Sequence, residues 1–337
     1  MSERIPLRII MVQATQLPLD ASSDVFSSFE ESVRNAVSQA PAPHNPNAVT
    51  MVVFPEMHLF GTPGLSEEAA HEAQNAAACP LPQEGVPASP LAARLTTRLS
   101  ELARDLGIWL VPGTLCERAT TEQQGIYNTA AVWNPAGEFV AAYRKICPWR
   151  PYETYIPGDS FTVFDIPGVG RVGFTICYDA WFPEISRQVA WKGAELILNL
   201  VRTTTPDRAQ ELVLARSNAI VNQSFVASLN AAGPDGYGRS LLVDPNGNVI
   251  DELPTKEPGI ITAEIDLGHA KDVRDHGTVG LNRVWHQFKD TDPTIPLPLY
   301  DGSITAQRWK PSEFAATATT IAATATTTKT PETVGKK

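Results

Sequence analysis

The stretch RVGFTICYDAWFPEISRQVAWKGAELILNL, residues 171–200, decides the architecture. Arg171–Cys177 is a short apolar run of the kind that forms a buried strand. Phe182–Lys192 reads as a helix, with Pro183 in its first turn and Gly193 as its stop. Glu195–Leu200 returns to a strand. Working outward, Leu7–Gln13 and Val49–Phe54 are strands flanking a helix at about Asp24–Ser38. Pro90–Leu106 is a second helix, with Leu91, Leu95, Leu99, Leu102 and Leu106 in one stripe and Gly107 ending it. Trp109–Leu115, Tyr127–Trp133 and Phe139–Lys145 form a meander around the turn Asn134–Gly137. Downstream come a helix at Asp207–Asn222, with Leu212, Ala215, Ala219 and Ile220 facing inward, and strands at Phe225–Asn230, Ser240–Asp244 and Ile260–Ile265. A second turn of the same style, Asp244–Gly247, follows the middle one of these. Alternating β and α elements, broken by two like-built hairpins, predict two sheets packed face to face with helices outside. The span from Phe60 to Ser89, rich in Gly, Pro and Ala, reads as a long loop or lid.

Composition narrows the function. The chain of 337 residues is 43% hydrophobic and 19% charged, enough for a large core, and its net charge of −10 argues against nucleic acid or an anionic membrane as partner. No apolar run reaches the roughly 18–20 residues that cross a bilayer, and the N-terminal MSERIPLR lacks the features of a signal peptide. Cys79, Cys116, Cys147 and Cys177 are scattered, without metal-ligand or CxxC spacing. A cytoplasmic protein with reduced thiols is expected. One domain over residues 1–312 is expected, followed by a disordered tail, 313–337, whose Ala/Thr-rich tract is too poor in large apolar residues to offset its ordering entropy.

Three chemically capable residues close apolar strands: Glu56 after VTMVVFP, Lys145 after FVAAYR and Cys177 after RVGFTI. The crevice outside the carboxyl ends of strands is where layered α/β folds bind ligands. Taken singly, each has an ordinary structural reading: a buried small hydrophobe for the cysteine, a solvated carboxylate, an edge charge. Their coincidence at strand ends is harder to explain that way.

Their flanking blocks, VVFPEMHLFG, YRKICPW with PYETYIPGD downstream, and ICYDAWFPEISRQVAWKGAELILN, resemble the Glu, Lys and Cys signature blocks of the nitrilase superfamily of carbon–nitrogen hydrolases, in the same order. The resemblance spans roughly Leu7 to Asp266. It implies a four-layer αββα sandwich of two mixed sheets, self-association into dimers or larger assemblies, and neither metal nor cofactor. It places Glu56, Lys145 and Cys177 at the catalytic positions and Glu153 at that of a second, supporting glutamate.

The chemistry suits these residue types. An amide carbonyl is a poor electrophile, so its hydrolysis is split by a covalent acyl-enzyme. Glu56 serves as the base for the Cys177 thiol, while Lys145 and the Tyr178 N–H receive the oxyanion. Trp181, His58, Trp149, Tyr152 and Tyr178 are the expected pocket residues. Tyr178-Asp179 after the cysteine, where true nitrilases carry Trp-Glu, tilts the expectation from nitrile toward a small amide. The alternatives are an N-carbamoyl amide hydrolase, a nitrilase, or a catalytically silent scaffold of the same fold. A papain-like pairing of Cys177 with a histidine is disfavoured, since none of the six histidines closes a strand as Lys145 does.

Overall fold

Period-2 alternation is what sorts this chain into layers. In the computed structural model, which describes residues 4–19, 25–78, 80–81, 90–119, 125–287 and 291–292, thirteen strands fall into two sheets. The first holds β1 (Leu7–Gln13), β2 (Val49–Val53), β3 (Trp109–Val111), β4 (Thr114–Arg118), β5 (Ile126–Trp133) and β6 (Phe139–Arg144), together with β13 (Gly259–Ile265), in the order β13-β1-β2-β3-β5-β4 with β6 on β5. The second holds β7 (Val163–Ile166), β8 (Gly170–Ile176), β9 (Leu196–Val201), β10 (Phe225–Asn230), β11 (Leu241–Val243) and β12 (Val249–Glu252), in the order β12-β11-β10-β9-β8-β7. The helices are α1 (Val25–Gln39), α2 (Glu67–Ala77), α3 (Pro90–Leu106), α4 (Pro183–Trp191), α5 (Arg208–Asn222) and α6 (Gly268–His276).

Three apolar clusters mark the interfaces of the four layers. Leu7, Ile9, Met11, Met51 and Val53 of the first sheet meet Phe174, Ile176, Leu196, Leu198, Phe225 and Leu229 of the second in one cluster. The alternate residues Ile10, Val12 and Val52 face the other way, onto Phe29 and Val33 of α1 and Leu99 and Leu102 of α3. On the far side of the second sheet, Ile197 and Val226 meet Val189 of α4 and Ala215 and Ala219 of α5. Burying each such side chain is worth about 1.5–3 kcal/mol, so a one-residue slip in any central strand would exchange two cores. This is the expected αββα sandwich. Both hairpin turns are built alike: Asn134 Oδ1 accepts the N–H groups of Ala136 and Glu138, and Asp244 Oδ1 those of Asn246 and Asn248. One turn serves each sheet.

Several expectations change. The predicted strand Trp109–Leu115 is broken at Pro112-Gly113 into β3 and β4. Gly113 adopts φ +94°, and a Cβ there would lie 2.1 Å from the Pro55 carbonyl oxygen. The span read as a structureless lid carries α2, capped by Ser66, whose side chain accepts the Ala69 N–H. A polar, Ala-rich helix lacks the apolar stripe that periodicity detects. Ile220 is 48% exposed rather than inward, and would meet a side chain at Gly247. Strands β7 and β12 and helix α6 were not foreseen; β12 is exposed at every position.

The described residues up to His286 form one compact unit. The expected boundary at 312, the tail and Cys79 lie outside the described residues, as do 82–89 of the supposed lid.

Candidate active site

Strand direction gathers the site. β2 runs parallel to β3, and the two antiparallel steps from β3 to β5 and from β5 to β6 restore that direction. Glu56 and Lys145 therefore leave the same edge of the first sheet. Cys177 follows β8 of the second sheet.

The Glu56 turn is fixed from several sides. The Phe54 N–H donates to Val111 O, the Met57 N–H to Thr114 Oγ1 at 3.0 Å, and Gln16 Nε2 to Met57 O at 3.0 Å. Asn128 of β5 reaches across with Nδ2 to Glu56 Oε1 at 2.7 Å, while its carbonyl accepts the Lys145 N–H. Lys145 is wholly buried. Its Nζ donates to Glu56 Oε1 at 3.0 Å and Glu153 Oε1 at 2.8 Å, and the other Glu153 oxygen accepts the Trp149 N–H at 2.7 Å. Burial works against the lysine charge, but Glu56, a thiolate at Cys177 and Glu153 outweigh it and hold its pKa well above the ordinary value. Lys145 is a permanent cation here.

Cys177 opens a 3-10 turn, Cys177–Trp181, with φ +48°, a region a non-glycine residue enters only under constraint. Asp179 supplies the constraint. Its carboxylate accepts the Ile176 N–H at 3.0 Å, the Cys147 N–H at 2.8 Å and the Tyr143 hydroxyl at 2.8 Å, joining the cysteine turn to the lysine segment. Burial pushes Asp179 up to about 6 against these hydrogen bonds. Burial, then the Glu56 charge, raises the Cys177 thiol well above its usual range, with Lys145 opposing. One ammonium and two carboxylates make this a region that disfavours a lone thiolate.

The structure thus brings Glu56 and Glu153 each into direct contact with Lys145, within electrostatic reach of Cys177. Of the expected pocket residues, Tyr178 and Trp181 lie on the turn after the cysteine, their rings 6.0 Å apart. Trp149 and Tyr152 pack on each other at 4.4 Å between centroids, and both are exposed. His58 stacks on Phe54 at 4.7 Å and lies 5.8 Å from Phe29, in the layer beneath α1. Burial lowers its imidazole to about 4, so it is neutral at physiological pH.

Sequence reading missed Asn128, Asp179, Thr203 and Glu211. Asn128 stands out as a polar side chain mid-way along the apolar β5. Thr203 follows β9 as Cys177 follows β8, so the strand-end criterion reaches it as well. Asp179 was read only as a marker of substrate preference, since its partners Tyr143 and Cys147 come from the lysine segment, and Glu211 left no signal, since its partner Thr203 lies in the loop after β9.

A family model described as carbon-nitrogen hydrolase matches residues 8–275, and the chain belongs to that family, within the nitrilase superfamily. The omega-amidase NIT2 of Homo sapiens is 35% identical over 196 residues, covering 53% of this chain and 69% of the relative. A formamidase of Nitratidesulfovibrio vulgaris is 32% identical over 176 residues, covering 51% of this chain and 52% of the relative. Among solved structures, Saccharomyces cerevisiae Nit3 superposes with a TM-score of 0.65 at 27% identity, covering 80% of this chain and 94% of Nit3. A mutant amidase of Nesterenkonia sp. AN1, solved in complex with butyramide, gives 0.61 at 26% identity, covering 80% of this chain and 94% of the amidase. Three of these four relatives are named as amidases, and the family acts on carbon–nitrogen bonds other than peptide bonds.

Proposed function

We propose that this chain hydrolyses a small non-peptide amide to a carboxylic acid and ammonia through a thioester on Cys177. The observation that carries the reading is Lys145, fully buried and bonded at once to Glu56 and Glu153, at the strand edge that faces the Cys177 turn.

The electrostatics dictate the order of events. A thiolate created without a proton acceptor would add a second uncompensated negative charge. Moving the Cys177 proton to Glu56 leaves the local charge unchanged while the sulfur attacks the carbonyl carbon. The oxyanion then accepts hydrogen bonds from Lys145 Nζ and from the N–H of Tyr178, the second residue of the 3-10 turn, where the first N–H groups have no acceptor within the turn. Glu56 passes its proton to the amide nitrogen, the C–N bond breaks and ammonia leaves. Water attacks the thioester with Glu56 as base, the C–S bond breaks, and the proton returns to sulfur. Glu153, anchored by the Trp149 N–H, orients Lys145. Tyr178 and Trp181 wall the acyl site, and Trp149 and Tyr152 its approach.

The named amidases among the relatives support an amide over a nitrile. Trp191, Val213 and Ile220, 69%, 67% and 48% exposed along α4 and α5, support self-association into a homo-oligomer. No helix among the described residues is long and apolar enough to cross a membrane, and no disulfide joins Cys116, Cys147 and Cys177; we place the protein in the cytoplasm.

The test is an ammonia-release screen over short amides, ω-amides, N-carbamoyl amino acids and nitriles, with Cys177→Ala as control. Release from amides is expected, falling by at least about 10⁴-fold in the variant. Activity surviving in Cys177→Ala sinks the mechanism; release from nitriles alone sinks the amidase reading.

A further inference from the structure

A second buried ionic group, not used in the mechanism above, approaches Cys177 from the second sheet. Thr203, two residues beyond β9, has its backbone held on both sides: its N–H donates to Asn230 Oδ1 at 2.9 Å, and its carbonyl accepts Asn230 Nδ2 at 3.2 Å. Its hydroxyl donates to Glu211 Oε1 at 2.7 Å. That carboxylate is fixed in turn by Arg208, whose Nη1 donates to Glu211 Oε2 at 3.0 Å and to Ser228 Oγ at 3.0 Å, and whose Nε donates to Gly238 O at 3.1 Å. Trp181 Nε1 lies 3.5 Å from Glu211 Oε1. Arg208, Glu211 and Thr203 are all buried.

Thr203 Oγ1 stands 3.9 Å from Cys177 Sγ. A hydroxyl has one proton, and Thr203 gives it to Glu211, so only its lone pairs face the sulfur. The Cys177 thiol must therefore be the donor. We infer that Thr203, held by Glu211, is a positioning residue that fixes the Cys177 S–H and keeps the sulfur aligned while it awaits substrate. This rests on the reading of Cys177 as nucleophile.

A hydrogen bond to the neutral thiol, and a carboxylate behind it, both favour S–H over S⁻. The charged groups acting on Cys177 are Glu56, Glu153 and Lys145 from the first sheet and Glu211 with Arg208 from the second. Glu211 raises the thiol, in the same direction as Glu56 and against Lys145. The resting sulfur is thus held protonated from both sheets, and it loses its proton when an amide carbonyl arrives to receive the attack. Such an arrangement protects the thiol from adventitious alkylation and oxidation, since the thiolate is the reactive form.

The test measures iodoacetamide alkylation of Cys177, followed on its own peptide by mass spectrometry across pH, in the full chain and in Thr203→Val, Thr203→Ser and Glu211→Gln. Thr203→Val keeps the shape and leaves the Arg208–Glu211 pair intact, so the inference stays testable if Glu211→Gln does not fold. Thr203→Val is expected to move the alkylation midpoint down by about one pH unit, with kcat for the best amide falling about tenfold at little-changed KM. Glu211→Gln is expected to move the midpoint the same way, and Thr203→Ser to restore wild-type values of both. An unmoved midpoint in Thr203→Val overturns the inference, as does Thr203→Ser behaving like Thr203→Val. Stoichiometric alkylation of Cys177 that leaves turnover intact overturns instead the nucleophile reading beneath it.

Discussion

Two buried cations flank the same cysteine and are treated differently by their surroundings. Lys145 faces two carboxylates, Glu56 and Glu153, and little else. Arg208 faces one, Glu211, and spends its remaining donors on the carbonyls of Ser228, Gly238 and Arg239 and the Ser228 hydroxyl. The first cluster carries an excess negative charge that a migrating proton can relieve. The second is neutral and saturated. A planar guanidinium with five donors suits a fixed joint, whereas an ammonium on a flexible stem can follow a changing oxyanion. Burial alone does not mark a charge as catalytic; an unbalanced charge count beside a nucleophile is the more telling sign.

That contrast can be broken most decisively at Lys145. Lys145→Met, of similar length, should lower kcat/KM by about 10³-fold or more for the best amide. A variant within tenfold of wild type would mean the lysine only neutralises its neighbours. Glu153→Gln should cost about 10–100-fold in kcat with KM nearly constant, as expected for a group that orients Lys145; a loss as complete as that of Cys177→Ala would instead make Glu153 a direct proton carrier. Arg208→Lys should act mainly on stability, by about 3–5 kcal/mol in urea unfolding, because one ammonium cannot fill five acceptor sites. Its turnover per folded molecule should fall by no more than about tenfold.

The smallest effect concerns Asp179, whose folded carboxyl is pushed from 3.8 up to about 6. Between those values the folded chain binds a proton that the unfolded chain releases. The stability contributed by this group is therefore complete below pH 3.8 and lost as pH rises through about 6. Comparing melting temperatures of wild type and Asp179→Asn from pH 4 to 7 should show that downward slope in the wild type alone. Equal slopes would mean the carboxyl titrates elsewhere.

The two clusters were not equally legible in the sequence. Glu56, Lys145 and Cys177 each end an apolar strand, so local pattern and flanking blocks located them together. The sheets were visible for the same reason: continuous apolar runs such as LRIIMVQ and ELILNL feed two cores at once. Thr203, Glu211 and Arg208 are eight or fewer residues apart, but nothing in TTTPDRAQE says that its carboxylate turns back beneath a hydroxyl facing a sulfur from another strand. Asn128 was hidden similarly, since its partners Lys145 and Glu56 lie 17 and 72 residues away, and so was Asp179, two of whose partners, Cys147 and Tyr143, lie 32 and 36 residues away. Helix α2 was missed because its Ala-rich face packs lightly, with Gln74 tied to Tyr155 and Phe60 by hydrogen bonds rather than by an apolar stripe.

Asp179 also has a mechanical meaning. Lys145 and Cys177 belong to different sheets, and this carboxylate spans the gap between their strand ends. The site therefore gauges the registry of one sheet against the other. A slip of about 1 Å, trivial for an apolar interface, is enough to cost a catalytic centre about 10²-fold. The rings of Trp109, Phe164 and Phe174, stacked in the layer between the sheets, thereby set a tolerance on rate as well as a share of stability.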